Sequence, residues 1–258
     1  MDRRIFLTST IASAAVPAFV RSAPRSPVAR NLPLGEVIAM HTQARGGAAA
    51  IDAIVAEAAD IQIVENGSVA DGRYLCSKAP AFRIDIFDGG KHVFCEGLDS
   101  SGPWIWPEKK PAPEQGVPDA QRTGIQGIEF NLYGLHAFPR LGNRLSFEGR
   151  ERIENVDYYV IGIEMQGSYR TFLYIDPESW LIARRRDFRA PHPDIDATKK
   201  FIENQYSDYR PVAGVQTAHL SHQVNVATGQ ITQVTIVKSV KYNPILDAKI
   251  LSRSYKAQ

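Results

Sequence analysis

The tightest constraint on this chain is how little sequence separates its apolar segments. From Ile61 to Tyr242, short runs alternate apolar and polar residues, the period-two mark of half-buried strands. The joins between them are turns: Asn66-Gly67, Asp71-Gly72, Asp88-Gly89-Gly90, Gly167-Ser168, Asp176-Pro177, Pro211 to Gly214 and Thr228-Gly229. Parallel neighbours need a crossover of about a dozen residues, so joins this short leave only antiparallel pairing. After a first strand around Ile61 and Ile63, strands are expected at Arg73 to Ser77, Phe82 to Ile86, Lys91 to Glu96, Leu145 to Gly149, Tyr158 to Met165 and Tyr169 to Ile175. Leu181 to Phe188, Phe201 to Tyr209, His219 to Val226 and Gln230 to Tyr242 complete one antiparallel sheet of about 9–11 strands. Helical spacing precedes it at Leu34 to Ala44 and, beyond Gly46-Gly47, at Ala48 to Ala59. Residues 99–124 carry five prolines around Trp104 and Trp106 and read as a long loop of the kind that often forms a lid. Ile125 to Phe138 reads as a further helix. The expected class is α+β, one sheet with two or three helices on one face.

Residues 1–30 are a separate matter. Arg3-Arg4 followed by Phe6-Leu7, a soft apolar stretch from Leu7 to Val20 and a Pro/Arg/Ser linker resemble a twin-arginine export signal. The expected domains are therefore an export segment, 1–30, and a single body, 31–258, in the periplasm. Neither cysteine lies in the leader, which excludes lipidation at a mature N-terminal Cys. Beyond the leader there are 25 basic and 27 acidic residues, a balance that argues against nucleic acid as a partner. Cys76 and Cys95 are too few for a disulfide framework or a four-cysteine zinc site. Their strands should flank a third, about two spacings of ~4.8 Å apart, which exceeds the roughly 7 Å reach of a disulfide.

Catalytic signatures are missing from the sequence. His219 and His222 stand at i and i+3 on a strand and point to opposite faces, so one metal does not easily take both. His192-Pro193-Asp194-x-Asp196 reads as a solvated turn or a weak cation loop. The glycine pairs have no phosphate-loop context, and there is no Gly-x-Ser-x-Gly elbow. No cofactor and no metal are expected.

Several stretches carry a family resemblance. Ala44-Arg45-Gly46-Gly47-Ala48 to Ile54 is similar to a glycine-pair opening before a first long strand. Gly97 to Trp104, Leu145-x-x-x-Gly149-x-Glu151 with Tyr158 to Ile163, and Tyr174-Ile175-Asp176-Pro177 with Leu181-Ile182-x-Arg184 follow in matching order. Tyr206-x-Asp208-Tyr209-Arg210-x-Val212-x-Gly214-Val215 and Tyr242-Asn243-x-x-Leu246-Asp247 close the series. Together they resemble the periplasmic lipoprotein carrier and sorting proteins of the LolA/LolB-like superfamily, over roughly residues 40–250. The resemblance implies a strongly curved half-open sheet, helices on its concave face and an apolar cavity between. These are scaffold motifs, and no ligand-contact residue transfers through them.

The alternation supplies candidates for such a cavity. Ile84 and Ile86 lie on one apolar strand face, Tyr159, Ile161 and Ile163 on a second, and Val234 and Ile236 on a third. Trp104 and Trp106 are either lid anchors or plain packing. Arg184 and Arg186, in the densest basic cluster, are either a solvated strand end or a headgroup contact at the cavity mouth. The reading that follows is a non-catalytic, monomeric periplasmic protein that binds a lipid or an acylated protein, with peripheral membrane contact. The alternatives are an exported enzyme acting on an apolar substrate and a structural envelope protein that docks a partner chain. For the leader, Arg3→Lys with Arg4→Lys is expected to abolish the processed form in the envelope fraction. Unchanged processing would leave general secretion as the route.

Overall fold

The computed structural model describes residues 32–165, 167, 169–247 and 249–255. The export signal read at 1–30 lies outside them. The order is α1 (Leu34–Arg45), α2 (Ala48–Asp52), β1 (Ala56–Glu65), β2 (Ser68–Ser77), β3 (Ala81–Asp88), β4 (Lys91–Asp99), β5 (Gly102–Pro107), β6 (Glu114–Gln115) and α3 (Pro118–Leu132). A 3-10 helix (Leu135–Leu141) leads to β7 (Arg144–Ile153), β8 (Val156–Met165), β9 (Tyr169–Ile175), β10 (Ile182–Arg189), β11 (Lys200–Val212), β12 (Val215–Asn225) and β13 (Ile231–Tyr242).

Among the described residues thirteen strands form one antiparallel sheet, ordered β6-β5-β4-β3-β2-β1-β13-β12-β11-β10-β9-β8-β7. Neighbours in the sheet are consecutive in sequence except at one seam, where β1 meets β13 from Glu57 opposite Tyr242 to Glu65 opposite Gln233. The sheet is two meanders, β1–β6 and β7–β13, joined along that seam.

The structure departs from the sequence reading in four places. The strand count exceeds nine to eleven because part of the 99–124 stretch pairs as β5 and β6. Pro103 and Pro107 sit near the two ends of β5, where a missing N–H costs little. Ala48 to Ala59 is not one helix: α2 stops at Asp52, and residues from Ala56 onward pair with β2 and β13 on both edges. Two ladders outweigh the helix preference of an alanine-rich stretch. Asp71-Gly72 is not a turn, because β2 runs straight through it. A Cβ at Gly72 would lie 2.8 Å from Ile61 Cγ1, so the glycine serves close cross-strand packing. The helix expected over 125–138 divides: α3 starts at Pro118, a residue suited to a first helical position, and a 3-10 turn follows after Gly134.

The helices cover one face in two places. Val37 of α1 with Leu135 and Phe138 of the 3-10 helix packs on Tyr159, Ile161, Ile163 and Met165 of β8 and Leu173 and Ile175 of β9. Ile51, Ile54, Ile128 and Leu132 pack on Cys76, Leu98, Val215 and Tyr242. Gly46 ends α1 at φ 129°, and a Cβ there would lie 2.2 Å from the Gly214 carbonyl oxygen in the β11–β12 hairpin. Gly46→Ala is therefore expected to cost about 3 kcal/mol or more, from strain and clash together. Gly35→Ala, in the same helix with open space around it, should change stability by less than about 1 kcal/mol. Denaturant midpoints of the two variants test the contrast.

Candidate functional site

Between the two packed clusters lies a cavity of about 460 Å³, within the usual range for small-molecule sites. Its floor is the seam and the strands beside it. Directly opposed residues of antiparallel strands share a face. Glu57, Ala59 and Ile61 of β1 oppose Tyr242, Val240 and Val237 of β13, and all six line the cavity. Tyr206 and Tyr209 of β11 and Ile182 and Arg185 of β10 extend the floor. The roof is His41 and Arg45 of α1 and Gly124, Gly127, Phe130 and Asn131 of α3. Gly124 lets α3 approach the sheet, since a Cβ there would meet Phe82 Cε1 at 2.3 Å. Gly127 has nothing within 4 Å of such an atom. The Pro191 to Asp194 loop, with Glu96, Gly97 and Trp104, forms one end.

A bulge sets which residues point inward. The β1–β13 register shifts between Asp60 and Ile61, so Asp60 opposes Ser239 and Ile61 opposes Val237. The extra residue, Lys238, reverses the parity of β13. Even-numbered Val240 and Tyr242 face the cavity above it, and odd-numbered Thr235 and Val237 below it. Val234 and Ile236 consequently lie on the outer face, paired with Val64 and Gln62, which corrects their expected place in the cavity. That outer face also carries exposed Val69, Phe188, Phe201 and Ile231, which is why β13 reads as apolar on both parities.

The other expected site residues disperse as well. Tyr159, Ile161 and Ile163 share the helix-covered face but belong to the filled cluster under α1. Ile84 and Ile86 oppose Tyr74 and Gly72 on the inner face without lining the cavity. Trp104 is fully buried at the loop end of the cavity, and Trp106 opposes Cys95 and donates its indole N–H to the Lys110 carbonyl at 3.0 Å. Arg184 and Arg186 are not at a cavity mouth. They lie on the outer face, where both bind the Glu203 carboxylate at 2.6 Å and stack on Tyr158 and Tyr174. Arg185, one residue between them, is the arginine that turns inward, over the Phe130 ring at 4.6 Å with Asp187 as its ion-pair partner at 3.0 Å.

The cavity also holds polar groups: Glu57, His41 and Arg45, which the sequence reading did not single out as site residues, and His192 and Asp194, which it read as a turn or weak cation loop. Burial pushes the Glu57 carboxyl up to about 7. Burial likewise lowers His41 to about 4, and its Nδ1–H donates to the Trp180 carbonyl at 2.9 Å, so the ring is neutral. Arg45 donates to the carbonyls of Tyr133 at 2.9 Å and Asn131 at 3.3 Å. At the loop end His192 lies 3.8 Å from Glu96, whose carboxylate raises the imidazole pKa, and Asp194 accepts from the Val117 amide at 2.6 Å. Glu57 escaped notice because its stretch reads as helix, where it has no reason to face a sheet-lined cavity.

Asp85, His92 and Cys95 are the cluster among the described residues close enough to share a metal ion. Arg83 binds both Asp85 oxygens, at 2.6 and 2.7 Å, and so occupies the position a cation would take. His219 is buried outside the cavity lining, its Nδ1–H donating to the Thr217 carbonyl at 2.9 Å, and His222 opposes Val234 on the outer face. Cys76 lies inward and Cys95 outward on strands separated by β3, and both thiols are free. Among the described residues no helix is long and apolar enough to cross a membrane.

A half-open antiparallel sheet with helices over a cavity is the LolA/LolB-like fold. The chain is similar to a LolA superfamily protein from Nitrosomonas europaea, with 11% identity and a TM-score of 0.56 over 87% of this chain and 100% of that one. It is also similar to a DUF1329 family protein from Desulfovibrio piger, with 11% identity and a TM-score of 0.52 over 86% of this chain and 98% of that one. At these identities the likeness is one of fold. No protein-family model matches the chain. No curated protein matches it.

Because Ile161 sits in the filled cluster and is fully buried, Ile161→Ala is expected to cost about 2–5 kcal/mol in denaturant stability. Ile161 itself does not line the cavity, although its cross-strand partner Leu173 does, so the loss of stability is expected to exceed any loss of ligand affinity in the folded variant.

Proposed function

We propose that this protein is a non-catalytic carrier of the bacterial envelope that holds a lipid or acyl chain in the cavity over the β1–β13 seam. The observation that carries the reading is the cavity itself: aliphatic and tyrosine side chains floor it, and it lies between two packed cores in a LolA/LolB-like fold. Each methylene buried there contributes about 0.8 kcal/mol, so a short length of chain gives useful affinity. Periplasmic residence follows from the leader and accords with the fold. The cargo is a lipid or an acylated protein, delivered by a monomer.

Two measurements test this. Native mass spectrometry of protein purified from its own envelope fraction should find a retained lipid; a retained metal or organic cofactor instead would overturn the reading. Val237→Trp puts an indole on the cavity floor. It is expected to weaken binding of a fluorescent fatty acid at least about tenfold while stability changes by less than about 1.5 kcal/mol. Equal binding by the variant would place the ligand elsewhere.

A further inference from the structure

Arg45 and Glu57 line the same end of the cavity from opposite walls, Arg45 on the last turn of α1 and Glu57 on the first turn-to-strand residues of β1. They feel each other's charge, yet among the described residues no direct ion pair joins them and the Glu57 carboxyl accepts no hydrogen bond. The guanidinium donates to the carbonyls of Tyr133 and Asn131 at the roof, and on the floor it acts on the Tyr242 hydroxyl, directly opposite Glu57. The remaining titratable groups facing Glu57 are Tyr74 and Cys76 of β2 and Tyr242 of β13, all neutral, since burial raises each above its ordinary range. An acid and a cation that face one apolar space without touching leave room for a polar group between them.

We propose that this gap binds the carboxylate of a free fatty acid, with Arg45 supplying the positive charge and protonated Glu57 donating a hydrogen bond to the ligand oxygen. This rests on the acyl-chain reading above and names its ligand's polar end. A cationic headgroup fits poorly because Arg45 would repel it. A neutral end, such as an alcohol, leaves Arg45 without an anion. In the bound state one proton lies between two carboxyl groups, which attract each other only while that proton is present. With Glu57 free at about 7, the affinity is level from the ligand's own carboxyl range, about 4–5, up to that pH. Above it, binding must take up a proton, and affinity falls toward about tenfold per pH unit.

The test uses cis-parinaric acid and the corresponding primary alcohol, whose fluorescence rises in an apolar site, titrated from below to above neutrality. Wild type should bind the acid with the fall described and the alcohol with a flat profile. Glu57→Gln, which keeps shape and a hydrogen-bond donor, should bind the acid with no fall across the same range, with its folding checked by circular dichroism. A flat wild-type profile for the acid, an unchanged fall in Glu57→Gln, or tighter binding of the alcohol than the acid at acidic pH would overturn the proposal while leaving the acyl-chain reading intact. Binding of neither probe at any pH would overturn both.

Discussion

The pairing of the first strand with the last holds this molecule together. Without the β1–β13 ladder there are two meanders, each complete in its own hairpins, and the cluster under α2 and α3, which draws on strands of both, would be divided. With it they become one curved surface, and the cavity floor runs along the join: Glu57, Ala59 and Ile61 from one half, Val237, Val240 and Tyr242 from the other. Residues almost 190 apart in sequence must meet to make that floor, as when Asn243 caps the amides of Val55 and Ala56. Such non-local pairing is costly in chain entropy, and it is bought back by burial on the helix-covered face.

Much of the architecture was legible in the sequence because turns and period-two alternation are local signals. Tyr169–Ile175 appears at the residues expected, and β8, β10 and β13 differ from expectation only at their ends. What was not legible depended on partners far away. Ala56 to Ala59 reads as helix until two neighbouring strands claim it. Gly72 reads as a turn until Ile61 is known to lie against it. The candidate site fared less well for a related reason: apolar alternation shows that a strand has a buried face but not whether helices or empty space cover it. Ile161 and Val237 look alike in sequence, yet one is core and the other faces the cavity.

Parity decides the electrostatics too. Three consecutive arginines of β10 divide between the faces, and each face supplies its own carboxylate. Arg184 and Arg186 share the almost fully buried Glu203 and lie over tyrosine rings, forming a ladder of charge and aromatic surface across the outer face. Arg185 turns inward with Asp187, where burial works against its charge and the carboxylate keeps it protonated. A one-residue slip in β10 would bury two arginines in the cavity without their acid, so these pairs help fix the register.

The sheet never closes, which leaves two free edges. One is β6, only two residues long. The other is β7, where Arg144, Glu148 and Arg152 are exposed, Arg144 pairs with Glu164, Glu148 pairs with Arg170, and a bulge at Gly149 bends the strand at φ 99°. Open backbone edges invite strand addition from a neighbouring molecule, which ends in aggregation. Here one edge is too short to template a strand, and the other is charged and kinked. The sheet can thus stay open while offering a neighbouring strand little to pair with.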